Sequence, residues 1–492
     1  MIKQKVLKYI NDNKIFSLSP NLYKYKDNDD EINENFIYSL PIPHDSYEIK
    51  NIPANGIILN NEGIYNIAND IKWKPISDAI GITINNNNIT INFNKHNLYC
   101  KNTNNFNCIG ISITSTELNT FSNINITNGK IIGCSFYGIK IKYVNGIYLN
   151  NITIDILEYS NLNVRLLTPS GIYISQSTNI NILKSNISNV KVKTDSSAGI
   201  QLVECINGLI KQCKITNIKN LDGAVQGFSY IGCENIITIC CISNKFRSYF
   251  NGNILTSGHT VLGFCPIFCL GLIYEKCQSL NLIGSCDDVH GISIFLNANI
   301  QLNKFTVKNI IDGKSQCKTG AKSTGIEVYG INVKVFNSHV SNIFAIRPQD
   351  KQCAGYASAG YQIEYNNCFV ENVKVLNKYS IPDINYGNGI GFGWAPDPRP
   401  EFKIIGADNI KYIKCTVLKC QVGFDTWMHT NSLFYKGKIL CCDEYISYEP
   451  NGTRILSCNQ CSECNPPIIT TITNNISNNK FVDNKYNNCN CK

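Results

Sequence analysis

A short phrase recurs along this chain, a glycine followed by alternating apolar and polar residues. It opens at Gly171, Gly199, Gly291, Gly325 and Gly360. The spacing of consecutive starts, from 171 to 199, from 291 to 325 and from 325 to 360, falls within the period of about 20 to 50 residues that is typical of solenoid proteins. Apolar residues at every second position are typical of strands. The phrase therefore predicts a β-solenoid, in which each coil contacts only its neighbours.

Each repeat holds more than one strand. The segment 291–310 contains three separate patches of alternating apolar residues, which predicts coils of three strands. Side chains alternate between the two faces of a strand, so Ile, Val and Leu are expected to fill the interior while polar residues face water. Asn residues at corresponding turns are expected to stack into hydrogen-bonded ladders, as amides do in cross-β assemblies.

The periodicity divides the chain into three parts. Residues 1–55 lack it and are predicted to form an N-terminal leader or cap. Residues 56–430 form the predicted β-helix, with loop insertions near 245–285 and 377–406, where the alternation of apolar and polar residues is interrupted. Residues 431–492 are rich in cysteine and are predicted to form a C-terminal cap or tail.

Composition excludes several functions. Charged residues make up 16% of the 492 residues, and the formal net charge of +9 comes mostly from scattered lysines. No dense Lys/Arg block is present, so we expect no nucleic-acid partner. No run approaches the ~18 to 20 apolar residues needed to span a membrane. The amino terminus has a basic start but no sustained apolar stretch, which predicts a protein without a signal peptide that is intracellular as made.

The phrases Gly-Ile-x-Ile and Asn-Ile-x-Ile resemble the repeats of right-handed parallel β-helix proteins of the pectin-lyase-like superfamily. The resemblance covers about three quarters of the chain, from about residue 60 to 430. The abundance of Asn, Ile and Lys is similar to that of β-helix proteins from giant mimivirus-like DNA viruses, which implies incorporation into a virion. Relatives in the superfamily include pectate lyases, polygalacturonases, phage tailspikes and bacterial surface proteins. The resemblance therefore implies an all-β, right-handed parallel β-helix that contacts a polysaccharide.

One acidic cluster is the candidate catalytic site. The resemblance implies paired carboxylates and a nearby histidine, as in polygalacturonases, and the segment from Asp287 and Asp288 to His290 provides them. Adjacent residues of a strand point to opposite faces, so the two aspartates cannot both serve one site. A further carboxylate from a neighbouring coil is needed, and Glu327 and Glu364 are the candidates by register. The alternative is that this segment is a polar turn leading into a strand.

A calcium-dependent lyase is not expected. Calcium takes 6 to 8 oxygen ligands, and the sequence shows only isolated aspartates rather than an acidic stripe at coil spacing.

The loops that hold rare residue types are the candidate carbohydrate-binding region. An indole face stacks on the C–H face of a sugar, while carboxylates and guanidinium groups bind its hydroxyls. Alternatively, these loops fold over the solenoid and their charges pair with each other. The candidate binding residues are Arg347, Asp350, Trp394, Asp397, Arg399, Trp427 and His429.

All of the 24 cysteines except Cys420 fall into two groups. Those before residue 420 lie mostly in strand patterns and are expected to be thiols packed as small hydrophobes. Those of the C-terminal segment could bind zinc through thiolates, form a disulfide-linked cap or remain free, and the sequence leaves all three open. This second group consists of Cys441, Cys442, Cys458, Cys461, Cys464, Cys489 and Cys491.

Two functions fit these observations. The first is a non-catalytic structural or surface β-helix that binds or displays glycan, supported by the scarcity of aligned carboxylates and by the cysteine-rich tail. The second is a polysaccharide hydrolase or lyase, which requires two or three of the candidate carboxylates to converge within about 10 Å. Self-association into a homo-oligomer stays open in both.

Overall fold

The computed structural model is built of strands. It describes residues 45–101, 106–155, 158–159, 168–194, 196–249, 260–284, 288–312, 323–345, 353–361, 368–376, 389–393, 404–408, 410–418, 420, 422–425, 429–440, 444–448, 453–457, 471–474 and 479–487. These residues contain strands and turns but no helix. Three strands make one coil, and strands of successive coils pair in parallel to form three long sheets. The prediction of an all-β parallel β-helix with three-stranded coils is confirmed.

The first sheet contains the strands that carry most of the glycine phrases. Its strands are Ile57–Leu59, Ile80–Ile84, Ile109–Thr114, Tyr137–Lys142, Ser170–Ser175, Ser196–Val203, Ala224–Ile231, Val261–Ile267, Val289–Ala298, Ser323–Ile331, Cys353–Tyr361, Gly389–Gly393, Val422–Asp425 and Glu444–Tyr448. Each pairs in parallel with the next strand of this series.

The second sheet begins earlier in the chain than the predicted start of the β-helix. Its strands are Ser46–Ile49, Gly63–Ile67, Ile89–Asn92, Phe121–Ile132, Val144–Asp155, Thr178–Leu183, Ile206–Lys211, Glu234–Ile239, Ile273–Glu275, Gln301–Asn303, Lys334–Phe336, Phe369–Glu371, Lys411–Ile413, Leu433–Tyr435 and Asn479–Val482. Two of them, Phe121–Ile132 and Val144–Asp155, run on into the third sheet.

The third sheet completes each coil. Its other strands are Ile71–Trp73, Asn97–Cys100, Asn186–Val192, Lys214–Asn220, Ile242–Ser248, Gln278–Gly284, Thr306–Asp312, His339–Ala345, Lys374–Leu376, Thr416–Leu418, Lys438–Leu440 and Lys485–Asn487. The short strand Glu158–Tyr159 also belongs to this sheet, since it pairs in parallel with Asn186–Val192. Among the described residues, further short strands lie outside the main series, namely Ile404–Asp408, His429–Thr430, Thr453–Ser457 and Thr471–Asn474.

The interior is filled by stacked apolar side chains, as the alternation predicts. Ile172 lies beside Ile200 in register, and both are completely buried. Burying one such side chain stabilises a fold by about 1.5–3 kcal/mol, and the stack repeats along the chain. The core is therefore continuous from coil to coil.

The glycines of the phrase lie where the backbones of successive coils approach closely. A Cβ atom at Gly171 would lie 2.9 Å from the carbonyl oxygen of Gly199, and one at Gly199 would lie 3.0 Å from that of Gly227. The start predicted at Gly360 is wrong. Because Ile326 pairs with Tyr356, the glycine in register with Gly325 is Gly355. The phrase is hidden there because Tyr-Ala-Ser follows the glycine instead of Ile-x-Ile.

Residues 260–284 are not part of a loop insertion, although an insertion was predicted near 245–285. These residues form one ordinary coil, with one strand in each of the three sheets. Aromatic residues replace isoleucine in its core, and Phe264 stacks on Phe228 of the preceding coil with ring centroids 4.7 Å apart. Phe264 and Tyr274 are completely buried. Aromatic side chains therefore hid the alternation from a pattern based on aliphatic residues.

Asn ladders connect neighbouring coils, as predicted. In the third sheet Asn309 Nδ2 donates to Asn281 Oδ1 at 2.8 Å, and Asn342 Nδ2 donates to Asn309 Oδ1 at 2.9 Å. All three residues have a left-handed backbone, with φ of 55°, 59° and 57° in chain order. Asn tolerates this conformation better than other residues with a Cβ, so one side chain satisfies both the local backbone and the contact between coils.

Replacing Asn309 by alanine is expected to lower the free energy of unfolding by about 3 kcal/mol, from two lost hydrogen bonds and a strained backbone. Asn309→Gly keeps the left-handed backbone and should lose only the hydrogen-bond part. Hydrogen exchange of the strand Thr306–Asp312, together with denaturant unfolding, measures both variants. Equal losses in the two variants would contradict the backbone contribution.

The described cysteines support the prediction for the residues before 420. Every cysteine whose side chain the structure describes is free, and all but Cys240 are buried. Burial raises the pKa of Cys205 and Cys233 well above the usual value, and it raises the pKa of Cys415 to about 12. These thiols are therefore uncharged and pack as apolar groups.

The described part of the chain has no helix that is long and apolar enough to cross a membrane.

Candidate functional site

The structure describes only part of the predicted site residues. The candidates Asp287, Glu364, Arg347, Asp350, Trp394, Asp397, Arg399 and Trp427 lie outside the described residues, as do all seven cysteines of the C-terminal group. His429 lies in the short strand His429–Thr430, and its side chain is not among those described. Asp288, His290 and Glu327 are described, and they lie close together.

Coil register brings these three residues to one surface. The strands Val289–Ala298 and Ser323–Ile331 are parallel neighbours in the first sheet, with Ser293 paired to Glu327. Ile292 and Ile294 of the first strand fill the core, so Ser293 between them faces outward. The outer surface of the six strands from Ser170–Ser175 to Ser323–Ile331 is called the site face below.

Two carboxylates converge on one buried histidine. His290 Nε2 lies 3.6 Å from Glu327 Oε2 and 3.8 Å from Asp288 Oδ2. The separation of the two carboxylate oxygens cannot exceed the sum of these two distances. Ser293 Oγ donates to Glu327 Oε2 at 2.6 Å. The convergence within about 10 Å that an enzyme requires is therefore present for Asp288 and Glu327.

Burial differs sharply within the cluster. The side chains of His290 and Glu327 are only 2% and 5% exposed, whereas that of Asp288 is 39% exposed. Asp288 is thus the member that reaches solvent, whereas the buried Glu327 accepts a hydrogen bond from Ser293. The neighbouring Cys265 is no nucleophile, because burial, with a smaller contribution from Glu327, raises the pKa of its thiol to about 12.

Buried polar atoms without hydrogen-bond partners concentrate on the site face. Buried polar groups normally have a partner, so each exception calls for an explanation. Of the eight such atoms among the described residues, five belong to this one face. They are Ser175 Oγ, Gln226 Oε1, Ser229 Oγ, His290 Nδ1 and Thr324 Oγ1.

Aromatic side chains lie on the outer surface of the first sheet toward both ends of this polar stretch. Tyr137 and Tyr173, on adjacent strands, have ring centroids 5.2 Å apart. Phe295 and Tyr329, four and five coils further on, have centroids 5.8 Å apart. Tyr173 and Phe295 are partly exposed. The surface therefore combines partly exposed rings with unpaired polar groups, which is the combination found in sites for small polar ligands.

Sequence reasoning found Asp288, His290 and Glu327 but missed the polar residues around them. Ser229 and Thr324 look like ordinary strand residues, and only their register with Cys265 and His290 places them on the site face. The residue paired with Glu327 in the next coil is Ala357.

No group of three or more His, Cys, Asp or Glu residues is placed to hold a metal ion within the described ranges.

No protein-family model and no curated protein matches the sequence. Three solved structures of right-handed parallel β-helix proteins are similar at low identity. The A-module of mannuronan C-5 epimerase AlgE6 from Azotobacter vinelandii has 11% identity and a TM-score of 0.35, over 83% of this chain and 89% of its own. PfbA, a surface adhesin of Streptococcus pneumoniae, has 12% identity and a TM-score of 0.36, over 89% and 91%. A tailspike protein double mutant of E. coli bacteriophage HK620, in complex with a pentasaccharide, has 10% identity and a TM-score of 0.36, over 79% and 71%. Likeness at this level assigns no function.

Proposed function

We propose that this β-helix binds a polysaccharide along the site face. The observation that carries the proposal is the concentration of unpaired buried polar atoms there, from Ser175 to Thr324. Sugar hydroxyls both donate and accept hydrogen bonds, so a chain of sugars can pair with the partly exposed Gln226, and it can reach the completely buried Ser229 and Thr324 only if the side chains that cover them move. Partly exposed rings at Tyr173 and Phe295 supply the stacking surface that the C–H faces of sugars require.

The length of the face fits an oligosaccharide. Neighbouring strands of a sheet lie about 4.8 Å apart, so the five steps from Ser170–Ser175 to Ser323–Ile331 span roughly 24 Å. A linear glycan laid across the strands would therefore contact several coils at once. In this orientation, the regular spacing of the coils would set the distances between the groups that contact the glycan.

Removal of one unpaired hydroxyl tests the binding function. Ser229→Ala is expected to weaken polysaccharide binding about three- to tenfold, while leaving stability unchanged or higher, because a buried hydroxyl without a partner costs about 1–3 kcal/mol. Calorimetric titration and affinity electrophoresis against neutral and acidic polysaccharides measure the first effect, and denaturant unfolding the second.

Ser243→Ala is the matched control. Ser243 Oγ donates to the carbonyl oxygen of Gly263 at 2.8 Å, so this change should lower stability and leave glycan affinity intact. Glycan binding that survives both Ser229→Ala and Thr324→Val unchanged would contradict the proposal.

Catalysis is the second candidate function, and the convergence of Asp288 and Glu327 on His290 favours it. Glycoside hydrolases use two carboxyl groups about 5–5.5 Å apart when they retain configuration and about 6.5–9.5 Å apart when they invert it. The distances from His290 Nε2 to the two carboxylate oxygens, 3.6 Å and 3.8 Å, set an upper limit on the separation of those oxygens. This upper limit is compatible with either type of hydrolase. Incubation of bound polysaccharides with the protein, followed by assays for new reducing ends and unsaturated products, decides between binding alone and binding with cleavage.

A further inference from the structure

Two buried cysteines on successive coils have their sulfur atoms close together. Cys100 ends the third-sheet strand Asn97–Cys100, and Cys134 lies in the segment between the strands Phe121–Ile132 and Tyr137–Lys142. Cys100 Sγ is 2.6 Å from Cys134 Sγ. A disulfide bond needs a separation of about 2.05 Å, so a small movement of either side chain would allow the bond to form.

The pairing of the strands places these two cysteines together. Tyr99 pairs in register with Ile132. The residues that follow them, Cys100 and Gly133, are therefore neighbours as well. A Cβ atom at Gly133 would lie 2.5 Å from the carbonyl oxygen of Cys100, which shows how closely the two backbones approach. Cys134, the next residue, is thereby held beside Cys100.

Other buried cysteines on successive coils have hydrogen bonds that a disulfide would remove. Cys205 Sγ donates to the carbonyl oxygen of Ile174 in the preceding coil at 3.4 Å. Cys233 Sγ donates in the same way to the carbonyl oxygen of Leu202 at 3.5 Å. A disulfide between Cys205 and Cys233 would leave both carbonyl oxygens without these donors, so this second pair serves as a comparison.

We propose that Cys100 and Cys134 form a disulfide bond that joins two successive coils, with a small disulfide such as oxidised glutathione as the oxidant. Cys100 is 6% exposed against 1% for Cys134, so it is the more accessible of the two. Its thiolate attacks one glutathione sulfur and releases the other glutathione as a thiol. Cys134 then attacks the Cys100 sulfur and releases the second glutathione. The two protein thiols lose two protons and two electrons, and the oxidant takes up both to become two thiols.

A third buried cysteine makes the choice of partner testable. Cys108 is completely buried and lies close enough to Cys100 and Cys134 to interact with them electrostatically. Burial raises the pKa of Cys108 to about 11, and it raises the pKa of Cys100 well above the usual value. Because the thiolate is the reactive form, exchange is slow at neutral pH. The amount of product at equilibrium is therefore a better measure than a rate.

The test equilibrates the complete protein with oxidised or reduced glutathione, alkylates the remaining thiols in denaturant and maps the tryptic peptides by mass spectrometry. Trypsin places the three cysteines on separate peptides, 96–101, 102–130 and 131–140. After oxidation, peptide 96–101 linked to 131–140 is expected in at least tenfold excess over either pairing with Cys108. The linked product should disappear on reduction with dithiothreitol. Cys108→Ser is the matched control and should leave its amount unchanged.

Three outcomes would overturn the proposal. Recovery of both Cys100 and Cys134 as alkylated thiols from the oxidised sample would show that no bond forms between them. An equal yield of linked Cys205 and Cys233 would show that the oxidation does not distinguish this pair from the comparison pair. The same preference after oxidation in denaturant would show that the fold does not select the partners. Hydrogen exchange of the strand Asn97–Cys100 should also slow at least threefold on oxidation, and Cys134→Ala should abolish this difference.

Discussion

Replacement of Asp288 by asparagine is expected to slow any glycosidic-bond cleavage by this protein by about a hundredfold or more, because general acid–base catalysis contributes about 10²–10⁴-fold. Asp288 is the only exposed member of the cluster with His290 and Glu327, so it is the group that reaches a water molecule or the glycosidic oxygen. His290 Nε2 lies between the two carboxylates, 3.6 Å from Glu327 Oε2 and 3.8 Å from Asp288 Oδ2. The rate of appearance of new reducing ends measures the effect.

Asp222→Asn is the matched control for this change. Asp222 is partly exposed and stands just before the first-sheet strand Ala224–Ile231, as Asp288 stands just before Val289–Ala298. Its replacement should leave the cleavage rate within twofold. If the unmodified protein binds a polysaccharide but releases no new ends, the non-catalytic function stands and the cluster is a binding site.

Gly227→Ala is expected to lower the free energy of unfolding by about 3 kcal/mol, since overpacking a dense core costs about 1–3 kcal/mol and the neighbours here cannot retreat. The new Cβ would lie 2.7 Å from Phe246 Cε2 and still closer to Ser243 Oγ and the carbonyl oxygen of Gly263. It would therefore separate the donor and acceptor of the Ser243–Gly263 hydrogen bond. Denaturant unfolding followed by circular dichroism measures the loss.

Gly208→Ala provides the comparison. A Cβ at Gly208 would meet only the end of the Ile236 side chain at 2.9 Å, and this flexible group can rotate away. Alanine is also favoured over glycine within a strand by about 0.5–1 kcal/mol, so this variant should be neutral or slightly more stable. A loss in Gly208→Ala as large as that in Gly227→Ala would show that the tight contact between coils is not the cause.

The architecture was predictable because one local pattern encodes it. Glycine followed by Ile-x-Ile specifies both the strand and the close approach of the next coil, as at Gly171 and Gly199. The pattern did not reveal the strands in which other residue types occupy the same core positions. Phe264 fills the core in place of isoleucine, and Gly355 is followed by a tyrosine.

The candidate site was predictable only in its charged members. Asp288 and His290 stand out as a local motif, and Glu327 follows from the spacing between the phrases at Gly291 and Gly325. The number of residues per coil varies, however. More residues separate Gln226 from its partner Leu262 than separate Leu262 from its partner His290. A difference in coil length of this kind cannot be read from composition, so the hydroxyl of Ser229 gave no signal of its position on the site face.

Equal coil lengths make the middle of the molecule modular. Ser170, Ala198 and Gln226 stand at the same register position in three successive coils, and the two steps between them are equal. Excision of residues 198–225 would place Gln226 beside Ser170 with every other pairing kept, and would shorten the solenoid by one strand spacing of about 4.8 Å. Duplication or loss of a whole coil at this point would lengthen or shorten the outer surface of each sheet by one strand, so the length of that surface can change while its residue types stay the same.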